Sequence, residues 1–232
     1  MSDSPVIAAE TPAEKKARKL AEQDQRIANA INEAATMLAA AAEDAEVQEL
    51  LAPRGYDTAT ITDAITTLQE PAQAAFNARQ VAIGALTSAS AALTTAATQE
   101  RQDFTDYREI ARSAFPAQAD KQVLGLVGKA PEDLEKFLTL AQASYAAGKK
   151  APYTAKLTVR GYSPTAIDAE LAGLKGVTNL AKARAIAAGA AQKATETRDK
   201  AAKALAAWMV EFRKVAKRTL RGHPDLLAKL GM

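Results

Sequence analysis

Apolar residues return every three or four positions along nearly the whole chain, and nowhere in strict alternation. From Ala21 to Ala45 the series Ile27, Ile31, Ala34, Leu38 and Ala41 predicts an amphipathic helix. From Pro131 to Ala147 the series Leu134, Phe137, Leu140 and Ala141 predicts another. Two longer runs follow these. Thr58 to Ala114 carries Ile65, Leu68, Ala72, Phe76, Ile83, Leu86, Leu93, Ala97, Phe104, Tyr107 and Ala111 on one stripe. Pro164 to Leu220 carries Leu171, Leu174, Ala188, Ala191, Ala202, Leu205, Met209, Phe212 and Ala216. A spacing near 3.5 suits helices packed at a shallow angle, and each run, at 1.5 Å per residue, predicts a helix of roughly 75 to 85 Å. Pro71 predicts a kink in the first of them.

The pattern repeats. Shifted by 106 residues, Leu51, Arg54, Gly55, Tyr56, Ile61, Ile65 and Leu68 fall on Leu157, Arg160, Gly161, Tyr162, Ile167, Leu171 and Leu174. Shifted by 105, Ala78, Arg79, Gly84, Ala85, Ala97, Tyr107, Arg108 and Ala111 fall on Ala183, Arg184, Gly189, Ala190, Ala202, Phe212, Arg213 and Ala216. The echo of "RGYDTATI" in "RGYSPTAI" is thus part of a duplication that spans 21–127 and 131–232. Its turn chemistry can be read directly. Gly55 and Gly161 suit a left-handed residue that closes a turn, Asp57 and Ser163 suit helix N-caps, and Pro164 suits the first helical position. Tyr56 with Ile61, and Tyr162 with Ile167, form a hydrophobic staple across each cap. The pattern therefore sets how each long helix leaves its turn.

"PAQADKQVLGLVGKAP", Pro116 to Pro131, breaks the chain between the copies, and "GHPDLLAKLGM" stands at the equivalent place in the second. Both predict short apolar helical turns folding back on the core. The expected architecture is all-α: an elongated four-helix bundle of two tandem αα-hairpins with two very long helices. Residues 1–20 are expected as a flexible tail and 21–232 as a single bundle, because each hairpin leaves a stripe for the other to cover.

Composition supports an all-α reading and removes several chemistries. Only 5% of residues are aromatic, and Gly and Pro are sparse while Ala is abundant. The chain has no cysteine, which excludes disulfides, thiol nucleophiles and thiolate metal sites. The apolar patch Val6–Ala9 is too short for the core of a signal peptide, and a cytoplasmic location is expected. Diiron bundles need a Glu-x-x-His pair on each of two helices, but His223 is the sole histidine and lies in the terminal turn. No nucleotide-binding glycine loop occurs, and the carboxylates of "EDAEVQE" read as a solvated helix end. No catalytic, cofactor or metal residue is predicted, and the protein is expected not to be an enzyme.

Charge separates the two long helices. Before residue 121 there are ten Lys and Arg against eighteen Asp and Glu; from residue 121 on there are twenty against nine. On the second long helix and just beyond it, Lys175, Lys182, Lys193, Lys200, Lys203, Lys214, Lys217 and Arg221 fall away from the apolar stripe and make a basic face. The first is uncharged from Gln80 to Gln99, where Gly84 and Ala91 would admit close backbone approach. That segment is too rich in Ala, Ser and Thr to predict a membrane span, so a helix packed on more than one side is expected. Arg79, Arg184, Arg198 and Glu100 interrupt the stripes. Arginine stems there can lie along apolar surface with the head in water, or pair with carboxylates inside the fold.

Two functions are compatible with these patterns. The first is a non-catalytic structural or interaction protein, a helical scaffold that self-associates as a homo-oligomer or binds a protein partner. The alternative is a polyanion contact through the basic face, with nucleic acid, anionic lipid or a granule surface as partner.

Overall fold

The computed structural model describes residues 11–232, and among these there are helices and no strands. The eight α-helices are α1 (Pro12–Glu43), α2 (Ala45–Leu51), α3 (Thr58–Ala114), α4 (Gln118–Val123), α5 (Leu134–Gly148), α6 (Tyr153–Thr158), α7 (Pro164–Thr219) and α8 (Pro224–Lys229). The protein is all-α.

The expected tail lies outside the described residues up to position 10. From Pro12 onward it is helix, nine residues earlier than the sequence reading places the start. A capping box explains the earlier start: the Glu14 backbone N–H donates to Thr11 Oγ1 (3.3 Å), and the Thr11 N–H donates back to Glu14 Oε2 (2.7 Å). At the other end, Asp44 stops α1 and starts α2, its carboxylate accepting from the Glu46 and Val47 N–H groups at 3.1 Å each.

Near Pro71, where a kink is expected, α3 carries a π turn at Ile65–Gln69. Proline has no N–H to give the preceding turn, and one wide turn relieves the clash. Carbonyl groups in the turn before it accept hydroxyl donors instead: Thr66 Oγ1 donates to Thr62 O at 3.1 Å, and Thr67 Oγ1 to Asp63 O at 2.7 Å.

The chain forms two compact units. One comprises the described residues up to Val81 together with Gln192–Met232; the other is Ala82–Ala191. The division cuts both long helices and not the connection at 127–131, so each unit draws on both halves of the sequence. The end of one long helix supplies core to the unit in which the other begins.

In the first unit, Ile31, Leu38, Val47, Leu51 and Ile61 are buried with Leu205, Met209, Phe212, Leu220, Leu226 and Leu230. Tyr56 meets Trp208 and Phe212 edge-on, at centroid distances of 5.5 and 5.3 Å. In the second, Phe104, Tyr107, Leu124, Leu126, Phe137, Tyr145, Ile167 and Leu174 form the core. Tyr162 meets Tyr107 edge-on at 5.1 Å. Gly148 is needed as glycine, because a Cβ there would lie 2.5 Å from the Tyr107 hydroxyl and 3.0 Å from Leu157 Cδ1.

Three arginines of α3 secure the connection in the second unit. Arg101 donates to the Pro131 and Glu132 carbonyls at 2.7 Å each, with its guanidinium 4.3 Å from the Phe137 ring centre. Arg108 donates to Gly128 O (2.8 Å), and Arg112 to Leu126 O (2.7 Å) and Gly128 O (3.0 Å). Irregular backbone that turns over a core leaves carbonyls to satisfy, and these side chains satisfy them.

Candidate interaction surfaces and buried charge clusters

The uncharged segment of α3 is exposed. Gly84 and Ala91 both face solvent, and a Cβ added at Gly84 would meet nothing within 4 Å. Val81 is 74% exposed. The packing on several sides expected for this segment is therefore not made within the single chain. α3 is also the one helix among the described residues long and apolar enough to cross a membrane, and the window that qualifies has none of its residues buried.

All eight residues of the predicted basic face are exposed. Lys214 has Glu211 at 3.9 Å, and the other seven make no ion pair among the described residues. Lys175 and Lys182 belong to the second unit and the remainder to the first. Three of them, Lys214, Lys217 and Arg221, come together with Arg218 to line a single surface recess. Arg218 was not singled out from the sequence, although its spacing of four from Lys214 and three from Arg221 places it on the same face.

The arginines on the apolar stripes take different roles. Arg184 is exposed and is the water-facing case. Arg79 and Arg198 are buried, at 5% and 1% exposure, and both ion-pair with Asp24, Arg79 through Nη1 to Oδ2 and Arg198 through Nη1 to Oδ1. Arg79 Nε also donates to Thr195 Oγ1 (3.2 Å), and Arg198 Nη2 to Asp199 Oδ1 (2.6 Å). One carboxylate thus ties α1, α3 and α7 together within the first unit. Asp24 was not identified from the sequence, yet a signal exists: stepping back three residues from Ile27 along the α1 stripe lands on it.

The second unit holds a cluster of opposite sign. Glu100, Asp103 and Glu170 bring one carboxylate oxygen each within 4.8 Å of the others. Glu100 Oε2 is buried without a hydrogen-bond partner. Its carboxylate rests on the backbone at Gly173, in the space a Cβ would fill. Burial first, and then the charges of Glu170 and Asp103, push the Glu100 carboxyl up to about 6. Glu170 is raised by its own burial and by Asp103, against the hydrogen bond it accepts from the Tyr145 hydroxyl at 3.4 Å. Glu100 was noticed in the sequence as a break in the stripe; Asp103 and Glu170 were not. The arrangement can hold a proton more tightly than an exposed carboxylate.

Compared with protein-family models, with curated proteins and with solved structures, the chain matches none.

Proposed function

We propose that this protein is a non-catalytic helical scaffold that self-associates through the uncharged face of α3, in the cytoplasm. The observation that carries the reading is that face itself: twenty consecutive residues without charge, Gln80–Gln99, none of them buried within one chain. Small side chains at Gly84 and Ala91 permit another helix to approach closely, and the apolar residues Ile83, Leu86 and Leu93 supply area to bury.

On this reading the chain is a duplicated hairpin whose copies exchange the ends of their long helices, as in a four-helix bundle built by mutual coverage. The support is in the aromatic contacts. Tyr56 with Phe212 and Tyr162 with Tyr107 occupy positions that the offsets of 105 and 106 residues make equivalent.

Multi-angle light scattering of the purified chain, with native mass measurement, tests the proposal. A discrete dimer or higher oligomer at micromolar concentration is expected. A monomer throughout, or a chain recovered only with membranes and released only by detergent, overturns it.

A further inference from the structure

The cations at the end of α7 form a more specific feature than the extended basic face expected from the sequence. Lys214, Lys217, Arg218 and Arg221 project at intervals of three, one and three residues and by themselves line one recess. An adjoining recess shares Arg218 and adds Glu49, Leu50, Pro53, Arg54, Val215 and Thr219. Arg54, Lys217, Arg218 and Arg221 are exposed and make no ion pair among the described residues, and Lys214 has only Glu211 at 3.9 Å, across an exposed surface. Such concentration carries a cost, since like charges on adjacent turns repel.

The chain contains its own comparison. At an offset of 105 residues, Lys214, Lys217, Arg218 and Arg221 correspond to Glu109, Arg112, Ser113 and Pro116 in the second unit. There the single cation, Arg112, folds back onto the carbonyls of Leu126 and Gly128 and holds the turn. Arg160, which corresponds to Arg54, donates to the Lys156 carbonyl at 3.0 Å. The same helical framework is thus completed in the second unit with one net charge, and its arginines have structural partners. In the first unit these five positions hold five exposed cations, of which Lys214 alone has an ion-pair partner, Glu211 at 3.9 Å.

We infer that the recess lined by Lys214, Lys217, Arg218 and Arg221, with Arg54 beside it, binds a phosphate-bearing ligand. Phosphate is favoured over a single carboxylate because two guanidiniums offer paired donors to a tetrahedral anion while the lysines add point charge. A ligand with more than one phosphate group suits cations spread from the end of α7 into the turn beyond it. The inference goes beyond self-association and uses none of the uncharged residues of α3, so the two can fail separately.

The test uses the full chain and two probes at low salt. Inorganic triphosphate is titrated calorimetrically, and phosphatidylcholine vesicles with and without phosphatidylinositol phosphate are used for cosedimentation. The target variant is Arg218→Gln with Arg221→Gln; the control is Lys175→Gln with Lys182→Gln, which removes equal charge from exposed positions on the same helix. Circular dichroism checks that both keep their helix content. Saturable binding that weakens about tenfold in the target and less than about twofold in the control is expected. It should also fall as salt rises. Binding to triphosphate identifies a soluble phosphate ligand, and binding only to the phosphoinositide vesicles identifies a headgroup; either supports the inference. No saturable binding to either probe overturns it, as does equal weakening by the control or unchanged binding in the target.

Discussion

At Asp24 one carboxylate meets two guanidiniums that are almost fully out of water; it is the one ion-pair partner of Arg79 among the described residues, while Arg198 also pairs with Asp199. Removing one partner of a buried pair leaves the other desolvated and uncompensated. Asp24→Asn should therefore destabilise the protein by about 3 kcal/mol. Asp199→Asn, which touches a half-exposed acid, should cost less than about 1 kcal/mol. Denaturant midpoints for the two variants check this, and equal losses would show that Asp24 has no special role. Glu100 presents the reverse case. Its carboxyl binds a proton more tightly folded, near 6, than unfolded, near 4.5. The folded state thus holds more protons in that interval, and stability falls as pH rises through it. Glu100→Gln should remove this loss, raising stability at neutral pH by about 1 kcal/mol after solvent screening and flattening the pH dependence. Urea unfolding on both sides of the interval measures it. Parallel pH profiles for the two proteins would rule out Glu100 as the source.

Helix boundaries are where the sequence was most legible. Gly55 and Gly161 adopt φ of 85° and 94°, and Asp57 and Ser163 cap the helices that follow them, accepting from the Thr60 and Ala166 N–H groups at 2.8 and 3.1 Å. These are short-range requirements: a positive φ or an N-cap constrains the residue that supplies it, whatever packs later. Ser163→Ala should accordingly cost about 1 kcal/mol in thermal or denaturant unfolding, and Ser163→Asp should restore most of it. A neutral Ser163→Ala would mean that Pro164 and packing alone hold the start of α7. Boundaries that depend on reciprocal or nonlocal bonds were harder to read. The capping box at Thr11 extends α1 well before its first core residue, and the wide turn associated with Pro71 lies at Ile65–Gln69, upstream of the proline itself.

At the scale of the whole molecule, the uncharged face of α3 is left uncovered by the single chain. If α3 associates with another copy, Ala91→Glu places a charge in the contact and should weaken the oligomer by about 2 kcal/mol or more, with the monomer's helix content unchanged. Sedimentation analysis over a concentration series checks this; an unaltered association constant would place the interface elsewhere. The sequence alone was enough for the helical class, the limits of the two long helices and the residues that cap them. All of these follow from periodicity and local backbone chemistry, which act within a few positions. Tertiary structure decided which half packs on which, because an apolar stripe specifies that it must be covered and does not name its cover. It also decided that Arg79 is buried while Arg184, 105 positions further on, is exposed. Periodicity gives both arginines the same phase; Arg79 meets Asp24 of α1 and Thr195 of α7, and Arg184 stays in water.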